Sequence, residues 1–252
     1  MDVGLALGLF MLALGVGIYG TIIGAGGGFV MVAGLVLIFD LSGAEAVGTS
    51  VITTLFSQLT GAVTYDRAGI VDRPTVQWFA TGSIPVAFLS AALLTKQIPE
   101  RLFDLLIGAL LLALAIFVVV RPGPEETTGA PLDPRKPELV GLGSMVGVLS
   151  GAFGVGAGLV TVPAVRALQK LSTHRAAATT TAIGAASGVA AAIGHVLARN
   201  PRWSFAPFVI AGAVIGGRIG SNSAGKLSQR TVGLLLAGGL FAAGAPLLIR
   251  AI

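Results

Sequence analysis

Eight stretches of this chain run without a single Asp, Glu, Lys or Arg: residues 3–39, 46–65, 74–95, 105–120, 139–165, 176–198, 203–217 and 231–249. A helix needs roughly 20 apolar residues, at about 1.5 Å rise each, to cross the hydrocarbon core of a bilayer. Segments 46–65, 74–95 and 176–198 fit one crossing each. Segment 105–120 reaches span length from Leu102, which sets Asp104 near the interface, and 203–217 becomes 203–225 once Arg218 is admitted. Only 11% of the chain is charged and 54% is hydrophobic, against about 25% charged in an ordinary soluble domain. A fold of this size cannot hide that much apolar surface, so lipid must be its solvent. The apolar runs are continuous and do not alternate, which argues against a transmembrane barrel. The expectation is an all-α polytopic membrane protein, multi-pass, in a bacterial or archaeal plasma membrane.

The net charge of +5 does not point to nucleic acid, because the Lys and Arg residues sit between apolar runs and set topology instead. The absence of cysteine excludes disulfides, thiolate metal sites and a cysteine nucleophile. The opening MDVGLALG has no positive n-region, so the first segment is expected to be retained and not cleaved. No intramembrane carboxylate pair, HExxH or GxSxG motif supports hydrolysis, and neither an enzymatic activity nor a cofactor is expected.

Segment 3–39 is too long for one crossing and short for two. It carries Gly24-Ala25-Gly26-Gly27-Gly28, and segment 139–165 carries Gly154-Val155-Gly156-Ala157-Gly158. Each glycine costs about 1 kcal/mol against alanine inside a helix, so both clusters should break their helices. A shift of 130 residues superposes the two: Gly24, Gly26 and Gly28 fall on Gly154, Gly156 and Gly158, Thr49 on Thr179, Gly82 on Gly212 and Gly108 on Gly238. The constant offset marks a duplication. The polar stretch RPGPEETTGAPLDPRKPE divides the copies, giving a first transmembrane repeat at 1–122, a linker at 123–138 and a second repeat at 139–252.

Positive charge votes on how each half crosses. If each glycine cluster is the tip of a re-entrant hairpin, each half crosses three more times and the halves are inverted. One side then receives Arg67, Arg73, Arg121, Arg135, Lys136, Arg166, Lys170, Arg175, Lys226 and Arg230. The other receives Lys96, Arg101, Arg199, Arg202 and Arg250. If each glycine segment crosses fully, the division is seven against eight. The positive-inside rule prefers ten against five, with the linker cytoplasmic and both termini outside.

Inverted repeats with broken helices are a recurrent plan of secondary transporters. A helix broken inside the membrane presents free N–H groups and the positive end of its dipole, both of which attract an anion. Gly24, Gly26, Gly27 and Gly28 with Gly154, Gly156 and Gly158 are therefore candidate lining for a small anion; the alternative is that they only permit tight helix crossings. Neither loop has the Lys-Ser/Thr ending of a nucleotide-binding loop. Hydroxyls follow each break: Thr49, Ser50, Thr53 and Thr54, then Thr179, Thr180 and Thr181. They can donate to an oxyanion or bond back to their own helix. Gln58, four residues after Thr54, can join the cavity or bond a neighbouring helix. Arg218 can hold substrate charge, pair with Asp104 or snorkel to the membrane edge. His195 is expected near the interface, either packed or proton-coupling.

The glycine loop in a long first segment, Ala46–Ser50 after it, and their recurrence as FGVGAGLVTVP (Phe153–Pro163) and AAATT (Ala176–Thr180) resemble the TauE/SafE family of sulfite and organosulfonate exporters. The likeness spans almost the whole chain outside the linker. It implies sulfite, sulfoacetate or another small sulfur-containing anion as substrate, with both glycine loops, Thr49, Ser50, Thr179 and Thr180 lining the path. Two departures stand out: Val32-Ala33 where a proline is usual, and Ala157 where a third consecutive glycine is common. Export, uptake coupled to a proton or sodium ion, and a channel all remain open readings. The expected partners are the anion, such a coupling ion, membrane lipid and a second copy in a homodimer, with no nucleic acid.

Overall fold

Ser42 and Ser172, 130 residues apart, start the two longest helices in the same way. Each has extended backbone (φ −60°, ψ 155° and 156°) and accepts a hydrogen bond from the backbone N–H three residues on, at Glu45 and Arg175, both at 3.4 Å. The Glu45 carboxylate in turn accepts from the Ser42 hydroxyl at 3.1 Å. These are two of ten α-helices in a computed structural model that describes residues 2–120 and 136–252, Ala157 excepted. They are α1 (Val3–Ile23), α2 (Gly28–Leu37), α3 (Gly43–Arg67), α4 (Arg73–Leu93), α5 (Glu100–Val120), α6 (Lys136–Phe153), α7 (Gly158–Gln169), α8 (Thr173–Leu197), α9 (Ala206–Ser223) and α10 (Gln229–Ala251). Single 3-10 turns at Thr95–Gln97 and Ala224–Lys226 precede α5 and α10.

Among the described residues, six helices are long and apolar enough to cross a membrane: Val3–Ile23, Gly43–Arg67, Arg73–Gln97, Glu100–Val120, Thr173–Leu197 and Arg230–Ala251. The protein is an all-α, polytopic, integral membrane protein. Most of the expected linker lies outside the described residues. Its last three positions are helical, because α6 already starts at Lys136; Pro137 and Glu138 in the first turn suit a helix start.

Internal repetition is written into the backbone. Left-handed residues recur at the offset of 130: Gly24 (φ 71°) with Gly154 (63°), Gly26 (73°) with Gly156 (86°), Asp40 (51°) with Lys170 (51°), and Gly69 (69°) with Arg199 (55°). Gly69 and Arg199 end α3 and α8, where Ile70 N–H bonds Tyr65 O and Asn200 N–H bonds His195 O. Glycine takes this conformation freely, whereas an L side chain pays about 1–2 kcal/mol. Arg199→Gly should therefore stabilise the protein by about 1 kcal/mol, read as a higher melting temperature; an unchanged or lower value would show that the arginine makes up the strain elsewhere.

Small residues let the helices approach backbone to backbone. A methyl on Gly17 of α1 would stand 3.0 Å from Ala213 O and from Gly217 N of α9. The corresponding seam joins α4 to α6, where a methyl on Gly147 would stand 2.8 Å from Ser83 O and 3.0 Å from Ala87 N. Helix α3 packs on α8, and α5 on α10. Helix α2 folds back along α1: Gly27 meets Val16, Gly34 meets Leu12, and the Phe39 ring lies beside Gly8.

Candidate functional site

The glycine runs interrupt both helices. Helix α1 ends at Gly24 and α2 starts from Gly27, each left-handed at φ 71° and 70°. Between them Gly26 N–H reaches back to Gly20 O at 3.0 Å. In the second half α6 ends at Phe153 and α7 starts at Gly158, with Gly154 and Gly156 left-handed. A left-handed position costs glycine nothing, which is how the chain turns twice within a few residues.

The two turns touch. A methyl on Gly28 would overlap Gly154 O and stand 3.2 Å from Gly156 N. One on Gly158 would overlap Gly24 O and the Ala25 backbone, and one on Gly156 would stand 3.7 Å from Gly28 N. Each turn also leans on the long helix of the opposite half. Gly24 meets Ala177 of α8 and Gly154 meets Val47 of α3, positions that correspond at the offset of 130. The N-termini of α2 and α7, with their free first-turn N–H groups, are thereby brought together inside the protein.

Gln58 of α3 is wedged between Gly26 and Gly184 of α8; a methyl on either glycine would strike its carboxamide. It is 5% exposed, and no hydrogen bond of its amide occurs among the described residues. Ser50 donates its hydroxyl to Gly28 O at 3.0 Å, tying α3 to the start of α2. Its counterpart Thr180, 1% exposed, has a buried hydroxyl with no partner.

Other expected site residues are engaged elsewhere. Thr49 Oγ1 accepts from Arg202 N–H at 2.9 Å and Thr179 Oγ1 accepts from Asp72 N–H at 3.0 Å. Each therefore anchors the loop entering a helix of the opposite half. Gly27 packs on Val16 and Gly20 of its own hairpin. Thr53, Thr54 and Thr181 bond back to carbonyls of their own helices at 2.8–2.9 Å. Arg218 is exposed on the outer face of α9 with Ile215 and Ile219, so the structure does not bring its guanidinium to the turns. Asp104 is paired not with Arg218 but with Arg250, at 3.6 Å.

One pair escaped the sequence reading. Tyr65 donates its hydroxyl to Thr21 O at 2.9 Å, and His195 Nε2 lies 2.9 Å from Gly151 O. Both donors and both acceptors are 130 residues apart, so each long helix grips the carbonyl shortly before the break in its own half. A carbonyl only accepts, so Nε2 carries the proton and Nδ1 accepts from the Asn200 amide at 2.8 Å. His195 is fully buried, packed as one of its two expected roles had it. The signal was the offset itself, masked because tyrosine and histidine look unrelated.

Comparison with known proteins agrees with this architecture. The chain is 26% identical over 251 residues to the probable membrane transporter protein YunE of Bacillus subtilis, covering 90% of this chain and 92% of that one. It is 26% identical over 190 residues to the probable membrane transporter protein MJ0441 of Methanocaldococcus jannaschii, covering 73% and 70%. It is 24% identical over 253 residues to the probable membrane transporter protein YjnA of Bacillus subtilis, covering 96% and 97%. No solved structure matches it. Residues 9–247 match the family described as Sulfite exporter TauE/SafE; the chain belongs to that family and is a multi-pass membrane transporter, not an enzyme.

Proposed function

We propose that this protein is a secondary transporter moving a small anion, sulfite or an organosulfonate, by alternating access at a site between two inverted repeats. The repeats span residues 1–122 and 139–252, and the linker 123–138 is cytoplasmic. The single observation that carries the reading is the meeting of the two broken helices at Gly28, Gly154 and Gly156. Two helix N-termini facing each other inside a bilayer offer converging N–H donors with no side chain in the way. Gly24, Gly26, Gly158, Gln58, Ser50 and Thr180 surround them and complete the lining.

Inversion is supported by which ends gather together. Phe39 sits beside Gly8, Gly43 beside Phe103, and Asn200 beside Gly48, so α1, α3 and α5 start where α8 ends. Tyr65 packs edge-on against His174 at 5.8 Å, and Asp72 bonds Thr179, so α4 and α8 start at the opposite end. Helix α6 runs in the direction of α4, Gly143 meeting Phe79, Gly147 Ser83 and Gly151 Ala87. The halves then begin at opposite ends. The ten-against-five charge division makes the second end cytoplasmic.

The chain has no cysteine, so single cysteines report cleanly on sidedness. Cysteine at Ala68 or Gly225 should react with a membrane-impermeant maleimide only from the cytoplasmic side, and cysteine at Gln97 or Ala198 only from outside. Labelling of all four from one side would sink the inverted arrangement. In proteoliposomes the protein should carry sulfite saturably, without single-channel currents. Flux under imposed proton and sodium gradients separates coupled uptake from passive export. No flux of sulfite or any short sulfonate would sink the substrate assignment.

A further inference from the structure

The turns meet among buried polar groups, and no Lys or Arg is among the buried side chains of the described residues. Among the described residues, the buried side chains that can ionise to a charged form near neutral pH are Asp104 and His195. Asp104 is occupied by Arg250, and His195 spends both ring nitrogens on Gly151 and Asn200. Arg218 is outside. What remains at the turns is backbone amide, the hydroxyl of Thr180 and the carboxamide of Gln58, Ser50 having given its hydrogen to Gly28 O. The desolvation penalty of an ion grows with the square of its charge. Dipoles alone can offset it for one negative charge far more readily than for two.

Gln58 adds a second constraint. Its amide brings a donor and an acceptor into the same confined place, between Gly26 and Gly184. A fully deprotonated dianion can use the donor only, and it leaves the amide oxygen buried and unpaired. An oxyanion that keeps one hydrogen satisfies both. Position 188, the counterpart of Gln58 in the second half, is glycine, so this group is not a by-product of the duplication. Thr180, whose buried hydroxyl has no partner, offers a group that can serve either form.

Resting on the anion site argued above, we propose that the protein takes its solute as a singly charged oxyanion that still carries a hydrogen-bond donor, hydrogensulfite and not the sulfite dianion, and that Gln58 determines this selection. A site built to bond a substrate hydrogen rejects the analogue lacking it, because its own buried acceptor is then left unpaired.

The test is titration calorimetry on the purified full-length protein in nanodiscs, with sulfite below and above its second ionisation. Sulfate serves as a dianion throughout, and methanesulfonate as a monoanion whose charge does not change. Sulfite affinity should fall as the hydrogensulfite fraction falls, while methanesulfonate, which has one charge but no hydrogen to donate, should bind more weakly than hydrogensulfite with an affinity that stays flat. Sulfate should bind roughly tenfold to a hundredfold more weakly than hydrogensulfite. Gln58→Met, which keeps the length but removes both polar atoms, should narrow the gap between sulfate and hydrogensulfite several-fold, leaving the part that comes from the second charge. Thr180→Val should weaken both forms alike, and melting curves report that each variant is folded. Sulfite binding that strengthens with pH, sulfate binding equal to hydrogensulfite, or unchanged discrimination in Gln58→Met would each overturn the selection while leaving the anion site intact. A protein that binds none of the three anions at any pH would bring down the site and this proposal together.

Discussion

Alanine at Gly158 should abolish transport and lower the melting temperature, although it adds one methyl to a helix of ordinary φ. That methyl would overlap the Ala25 backbone and Gly24 O, with Ala25 N 2.7 Å away. Every neighbour is main chain, so no side chain can rotate aside. Overpacking of a filled interior costs about 1–3 kcal/mol, and a contact made wholly of backbone belongs at the top of that range. The controls lie in the same protein. Gly233 and Gly238 of α10 have nothing within 4 Å of an added methyl. Alanine there should stabilise the helix by about 0.5–1 kcal/mol and leave flux unchanged. Scanning fluorimetry and sulfite flux read the three variants side by side. A Gly158→Ala protein that carries sulfite at the wild-type rate would show that close contact of the turns is not needed for transport.

His195→Leu should destabilise the protein by roughly 2–4 kcal/mol, more than Tyr65→Phe at the equivalent position. Leucine fills similar space but strands two groups at once: Gly151 O loses its donor and the Asn200 amide loses its acceptor. Tyr65→Phe removes only the donor to Thr21 O. His195→Gln, with a donor and an acceptor of its own, should recover part of the loss. Combining His195→Leu with Asn200→Leu should cost less than the sum of the two, because neither leaves the other unpaired. If His195→Leu melts with the wild type, the grip on α6 is not structural. If instead His195→Gln folds normally but flux loses its response to a proton gradient, the histidine carries the coupling proton.

The breaks at Gly24–Gly28 and Gly154–Gly158 were legible because several glycines in a row have one dominant consequence in a helix. The recurrence of left-handed backbone at an offset of 130 was legible because glycine and threonine recurred at that interval. Side-chain allegiance was not. A threonine that lines a cavity and one that holds the N–H of Arg202 or Asp72 look alike in sequence; the difference lies in loops 153 and 107 residues away in the chain. Arg218 was drawn toward the site by its apolar neighbours, but residues one helical turn apart share a face, and Ile215 and Ile219 put it on the outer one. Asp104 found its partner at Arg250, across the chain from any local pattern.

Along the seams between α1 and α9, and between α4 and α6, glycines face the backbone of the neighbouring helix, with small side chains such as Ala13, Thr21 and Ser90 between them. Interlocked knobs must change rotamer before one helix can slide past another, and that repacking usually makes shear motions costly. Here the facing surfaces are smooth, so a small slip trades one set of van der Waals contacts for a similar set. The thinness that leaves no room for a methyl would also ease a slide of each broken helix along its neighbour, were alternating access to require one.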